Sequence, residues 1–205
     1  VTDGQASVGG TVNAAGGDVS INAATISLTG TLVADSAQLE ASGPGGITQG
    51  PGALTVGNLS LSSQGGATLA SSGNAINSLG ASTVAGNLAL ASSTSLSQTG
   101  ELIVGGTANF NVSGGDLVLT HAKNDFTGAV SVSATGKVAV NAVGDLDMAA
   151  ASTGGSLSLV SGGVLNLNNL DISLGNHDMS LASNGGALAV TGALSGANVS
   201  LTGRD

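Results

Sequence analysis

Short strand-like bursts in which apolar residues alternate with smaller or polar ones recur along the whole chain, cut apart by glycine-rich punctuation: Val19-Ser20-Ile21, Leu59-Ser60-Leu61, Leu88-Ala89-Leu90 and Leu117-Val118-Leu119. Such alternation sends successive side chains to opposite faces of a strand. No segment of helical period interrupts it. A chain made of many similar short strands cannot close around one central core and must stack similar turns along an axis. The expected architecture is an all-β solenoid.

Composition narrows this further. Two Phe are the only aromatics, Trp, Tyr and Cys are absent, and the 41% apolar share is carried by Ala, Val, Leu and Ile. Small and β-branched side chains fill a narrow tube in which each strand meets neighbours above and below. The 35 glycines suit a chain that turns corners several times per circuit. Twelve acidic against three basic residues, a formal charge of −9, oppose binding to nucleic acid or to anionic lipid. The same charge keeps rods with open strand ends apart and soluble. Without cysteine there are no disulfides and no thiolate metal sites. No run of 18 apolar residues and no secretion-signal pattern is present in the sequence, so membrane insertion is not expected.

The strides between bursts set the size of a coil. Leu117 to Val138, Val138 to Leu157, Leu157 to Met179 and Met179 to Val199 are each strides of roughly 20 residues. Two or three strands therefore make one circuit of about 20 residues, and the 205 residues give roughly ten coils in a single solenoid segment, residues 1–205. Gly57-Asn58, Gly86-Asn87, Gly175-Asn176 and Asn184-Gly185-Gly186 mark corners, where left-handed backbone is expected. Pro44 and Pro51 bracket a stretch, Gly43 to Gly52, in which a loop or bulge should break the ladder. A longer unit overlies the coil. Ile47, Gln49, Leu54, Val56 and Gly57 align with Leu96, Gln98, Leu102, Val104 and Gly105, a displacement of about 48 to 49 residues, or roughly two coils.

The stretch from Ser95 to Val132, with LSQTGELIVGGTANFNV followed by GGDLVLTHAKNDFTGAVSV, resembles repeats of the filamentous haemagglutinin family, exoproteins of Gram-negative two-partner secretion systems that include biofilm-matrix adhesins. The rest of the chain is similar in style only, through GG-x-L-x-L segments such as Gly154 to Leu159. The resemblance implies a right-handed parallel β-helix, export to the cell surface or medium, and a role in adhesion. It implies no catalytic site. The family's amino-terminal secretion domain is not evident, which makes an internal piece of a longer shaft the expectation, continuing beyond both termini.

Candidate chemistry is sparse. The densest polar cluster is His121, Lys123, Asn124 and Asp125, a surface loop that could bind a small ligand or serve as a solvated turn with Phe126 tucked inward. Asp145 and Asp147 flank Leu146 and should both face outward about 7 Å apart. Calcium wants six to eight oxygens, so a solvated face is the better reading of that pair. Gly16-Gly17-Asp18 and Gly114-Gly115-Asp116 lack the spacing of calcium-binding nonapeptides, and His177 with Asp178 reads as a turn. No catalytic residue, metal or cofactor is expected. A non-catalytic adhesin shaft is the leading reading, with carbohydrate or exopolysaccharide, a host-cell surface, or other rods as partners. A β-helix polysaccharide lyase or glycosidase is the rival, disfavoured by three dispersed cations at Lys123, Lys137 and Arg204. An ice-binding solenoid is disfavoured because the threonines do not recur at one rung position.

Overall fold

Period-two alternation is realised as 25 strands in a computed structural model that describes residues 4–204. The strand pairings are parallel, and among the described residues there is no helix. Most strands pair with a strand one coil before and one coil after, so the ladder hydrogen bonds run along the axis of a solenoid; Asp125–Phe126 pairs only backward, with Leu102–Val104, and Ile172–Ser173 pairs only forward, with Leu194–Ser195.

Three walls surround the axis. The first is built from Gln5–Val8, Thr25–Leu28, Ile47–Gln49, Ala67–Leu69, Leu88–Ser92, Ala108–Val112, Val130–Ala134 and residues 150–153. In the first three coils, Val12–Ala23, Leu32–Ala41 and Leu54–Ser63 run through the second wall and on into the third. Later coils break this long strand in two. The second wall continues through Ala75–Leu79, Ser97–Gln98, Leu117–Leu119, Val138–Ala142, Leu157–Ser161, Met179–Ser183 and Val199–Thr202. The third continues through Ser82–Val84, Leu102–Val104, Asp125–Phe126, residues 146–147, Leu165–Leu167 and Leu188–Val190, and Met148 already pairs with Val130 of the first wall.

The coil length read from the sequence holds, with small variation absorbed at corners. Leu88 lies beside Ala108, Ala108 beside Val130, and Val138 beside Leu157, so the stride shortens or lengthens slightly from one coil to the next while the pairing continues. About ten such coils at a strand spacing of ~4.8 Å make a column roughly 50 Å long.

Register turns alternation into columns. Ile26, Ile47, Ala67, Leu88, Ala108 and Val130 succeed one another at a single inward position of the first wall, none more than 1% exposed. A neighbouring column carries Leu69, Leu90, Phe110 and Val132. Both phenylalanines are buried. A buried leucine truncated to alanine typically costs roughly 2–5 kcal/mol, because so tight a tube has little freedom to collapse on the cavity.

Two expectations need correction. Left-handed backbone is expected at the Gly and Asn corners, yet the described residues with positive φ are Gly16, Gly46, Gly115, Gly175 and Asn169. Of the four corner segments named from sequence, only Gly175-Asn176 contains one. Most glycines serve a different need, the close approach of successive coils. A Cβ on Gly30 would lie 1.9 Å from the carbonyl oxygen of Gly10, and one on Gly52 would lie 1.8 Å from that of Gly30. Left-handed geometry is required at Gly16 (φ 80°), where residues 15–17 bulge opposite Asp35 and the Gly16 amide donates to the Asp35 carboxylate at 3.2 Å. The second correction concerns Gly43 to Gly52. Pro44 and Pro51 stand at bends, but Ile47–Gln49 between them pairs with strands on both sides, so the ladder continues. Proline is tolerated because it sits outside the paired residues.

The stacked glycines give a direct test. Gly30→Ala and Gly52→Ala should each destabilise by about 1–3 kcal/mol through overpacking against backbone, whereas Gly10→Ala, with nothing within 4 Å of the added carbon, should be nearly neutral. Urea midpoints of the three variants check this, and equal midpoints would contradict it.

Candidate functional site: amide clamps and the corner loops they hold

Alternation places Gln49 on the same side as Ile47, and register puts it in the inward column between Leu28 and Leu69. A side-chain amide there must find partners or lose about 1–3 kcal/mol of desolvation. It finds them in Asn74, which is 0% exposed. Gln49 Nε2 donates to Asn74 Oδ1 at 2.6 Å, and Asn74 Nδ2 donates back to Gln49 Oε1 at 2.9 Å. The pair then ties down backbone of two coils. Asn74 Nδ2 donates to the Leu69 carbonyl (3.0 Å), while its Oδ1 accepts from the Leu54 amide (2.9 Å) and Gln49 Oε1 accepts from the Ser71 amide (3.2 Å).

The same device is built again from Gln98 and Asn124. Gln98 follows Leu96 by two positions, as Gln49 follows Ile47, and pairs beside Leu79. Gln98 Nε2 donates to Asn124 Oδ1, and Asn124 Nδ2 donates to Gln98 Oε1 at 3.0 Å and to the Leu119 carbonyl at 3.1 Å. Asn124 Oδ1 accepts from the Leu102 amide (3.0 Å), and Gln98 Oε1 accepts from the His121 amide (3.2 Å). Each of these partners has its counterpart in the first clamp, one sequence repeat earlier. The first clamp closes the corner between walls one and two, and the second closes the corner between walls two and three.

This geometry corrects one site residue and sorts the others. Asn124 is not part of a ligand-accessible surface loop: it is 0% exposed, and its side chain is committed to the clamp. Phe126 points inward, 4% exposed. Between Leu119 and Asn124 the chain bulges out as a short turn closed by the Asn124 amide donating to the His121 carbonyl at 3.2 Å. Lys123 and Asp125 are exposed, and His121 is half-buried, its Nδ1 accepting from the Lys123 amide at 3.3 Å. The first clamp holds a matching bulge made of Ser71, Ser72 and Gly73. One frame thus displays two different loops. Among the described residues, no hydrogen bond or ion pair joins the side chains of His121, Lys123 and Asp125.

The acidic residues have a structural task that the sequence reading missed. Asp116, Asp145 and Asp171 each immediately precede a strand, and each accepts the amide of the equivalent residue one coil on: Lys137 at 2.9 Å, Val164 at 2.7 Å and Ala193 at 2.7 Å. Asn87 does the same for Thr107 at 2.9 Å. Asp147 and Asp178 accept from the side chains of Asn166 and Asn198 instead, at 3.0 and 2.7 Å. Asp145 and Asp147 both lie on the exterior, but each is engaged by a different neighbour. Among the described residues no group of three or more His, Asp or Glu could hold a metal ion. Asp116 and Lys137 also form an exposed ion pair at 3.7 Å, which adds little. The visible signal was the recurrent Gly-Asp-Leu or Gly-Asn-Leu tripeptide at strand entries, present at Asp116, Asp145 and Asn87, while Asp171, in Leu170-Asp171-Ile172, lacks it.

The second clamp can be dissected by a double-mutant cycle. Gln98→Leu and Asn124→Leu should each cost about 2–3 kcal/mol by stranding the other amide and the Leu102 N–H. The double variant should cost clearly less than the sum of the two, with a coupling of about 1 kcal/mol or more. Additive losses in denaturant melts would contradict the clamp.

Comparison with known proteins agrees with this internal duplication. Residues 16–78 and residues 64–133 each match a family described as repeats of unknown function (DUF5649), and the offset between the two starts equals that of the longer sequence repeat. No curated protein and no solved structure matches the chain. Together the two matches run from residue 16 to residue 133, more than half of the sequence, and the chain belongs to this family of repeats.

Proposed function

We propose that this protein is a non-catalytic shaft segment of an exported or surface-attached bacterial adhesin of the filamentous haemagglutinin type, giving reach and displaying polar corner loops toward a matrix polysaccharide or a cell surface. The observation that carries the reading is the doubled clamp: a buried frame is kept while the exposed loop upon it changes from Ser-Ser-Gly to His-Ala-Lys. Construction of that kind separates a load-bearing interior from an exchangeable exterior. Tension along the column loads the inter-coil ladders of three walls together, while the aliphatic columns keep water out of the tube. The resemblance of Ser95 to Val132 to adhesin repeats supplies the biological setting. Lys123, Lys137 and Arg204 lie on separate coils, an arrangement better suited to a passive surface than to a lyase cleft.

A screen of the segment against matrix polysaccharides, host glycans and whole bacterial cells tests the reading. Binding to at least one is expected, weakened about 3-fold or more by His121→Ala with Lys123→Ala while the melting temperature stays put, as befits exposed side chains. Release of unsaturated products from uronate polymers would contradict it, as would an absence of binding to every target.

A further inference from the structure

At the end of the second wall, three successive coils turn the same corner with unlike residues. Val143, Gly162 and Asn184 follow the paired residues Ala142, Ser161 and Ser183, and so stack one above another along the rod. Gly162 has no room for a side chain, since a Cβ on it would lie 2.0 Å from the Val143 carbonyl oxygen. A notch therefore opens between Val143 and Asn184, which stand two coils or about 10 Å apart. Asn141 and Val160 lie beside it in one outward file of the second wall, and the His121-Ala122-Lys123 loop contributes Ala122 to its lining. The depression so formed has a volume of about 270 Å³ and no charged residue in its lining. Val143 is 54% exposed, more than any other large hydrophobic among the described residues. Ala122 and Val160 line the same depression, so its apolar part is aliphatic. Asn141 Nδ2 is committed to the Thr120 carbonyl at 3.2 Å, which leaves its Oδ1 to accept. The Asn184 side chain is exposed and, among the described residues, has no hydrogen-bond partner.

We propose that this notch binds an N-acetylated unit of a neutral amino sugar, the acetyl methyl lying against Val143, Ala122 and Val160 and the acetamido N–H donating to Asn141 Oδ1. The Asn184 amide, which can both donate and accept, serves a ring hydroxyl. Three features select this ligand. Both phenylalanines are buried, so no aromatic ring is available to stack on the face of an unsubstituted sugar, and the apolar contact on offer suits a methyl group. The net charge of −9 repels acidic sugars, and the uncharged lining holds no carboxylate for a free amino group. A peptide finds no sheet edge to extend, because Asn141 and Val160 already pair within the ladder on the second wall. Size limits the ligand to one small unit, as the volume falls just under the roughly 300 Å³ at which small-molecule pockets begin. The assignment rests on the reading of the corner loops as a face turned toward a glycan, and it names the sugar.

Titration of the whole chain with N-acetylglucosamine, followed in amide proton–nitrogen NMR spectra, tests it. The backbone signals of Val143 and Gly162 and the side-chain signal of Asn184 should move saturably, with a dissociation constant on the order of 1–10 mM for so small a ligand. Glucose and glucosamine, which lack the acetyl group, should each bind about 10-fold more weakly or worse. Val143→Asp should weaken N-acetylglucosamine by about 10-fold and Asn184→Ala by about 3-fold, losses in line with a removed apolar contact and a removed hydrogen bond. Thr55→Asp, an equal change of charge at an exposed position outside the notch, should leave the constant where it was. Circular dichroism melts confirm that the variants are folded. Signals that stay still in the wild type, or equal binding of the three sugars, overturn the proposal. So does N-acetylalanine amide binding as tightly as the sugar, a result that gives the notch to a peptide. If the notch is silent while the polysaccharide and cell screen still registers binding, the site assignment falls and the display role of the loops stands; silence in both removes both.

Discussion

The inter-coil ladder is the constraint from which the rest of this molecule follows. Because most strands hydrogen-bond to their counterparts in the next coil, each paired residue inherits the inward or outward position of the residues above and below it. A slip of one residue would turn an entire column of Leu, Ile and Val toward water, so apolar burial and backbone pairing select the same register. The price of that arrangement appears at the corners, where successive turns press backbone on backbone. Gly30 over Gly10 and Gly52 over Gly30 are places where no other residue fits. Asp116, Asp145 and Asp171, by accepting amides across the coils at strand entries, satisfy backbone donors that the tight corners would otherwise leave open.

Coil and sequence repeat are different units here. The coil is the shorter of the two, and the clamp recurs from Gln49 to Gln98 and from Asn74 to Asn124, two coils plus one wall further along. The second copy thereby occupies a different corner of the triangle from the first. A sequence repeat that is not a whole number of coils advances around the axis as it climbs, and the bulged loop that each clamp holds advances with it. Placing Gln inside an aliphatic column is tolerated because its reciprocal partner is complete: no buried side-chain nitrogen or oxygen among the described residues lacks a hydrogen bond. Such fully satisfied polar pairs favour one register over its neighbours more than they add stability.

The solenoid, its coil length and its aliphatic interior were legible in the sequence because alternation and stride are local, repeated many times, and survive individual exceptions. The longer repeat was legible too, and Gln49 and Gln98 fell on matching positions. The task those positions share was not. Parity with Ile47 and Leu96 already pointed both glutamines inward, but their partners lie in the following coil, and only three-dimensional register identifies Asn74 and Asn124. Asn124 consequently read as one more polar loop residue beside His121 and Lys123. The glycines misled in a similar way. Gly86 and Gly57 suggested left-handed turns, whereas what they answer to is a neighbouring coil's backbone, a contact that no local rule encodes.

The account stands on parallel, in-register stacking of successive coils, and distances between spin labels along one outward file test it most directly. With one label fixed at Ser131 and the second moved through Thr68, Thr48, Ser27 and Ser7, the separation should lengthen by about 4.8 Å per coil, reaching about 29 Å at Ser7. Distances that level off, or that shorten as the label moves away in sequence, would show that the coils do not stack as a column.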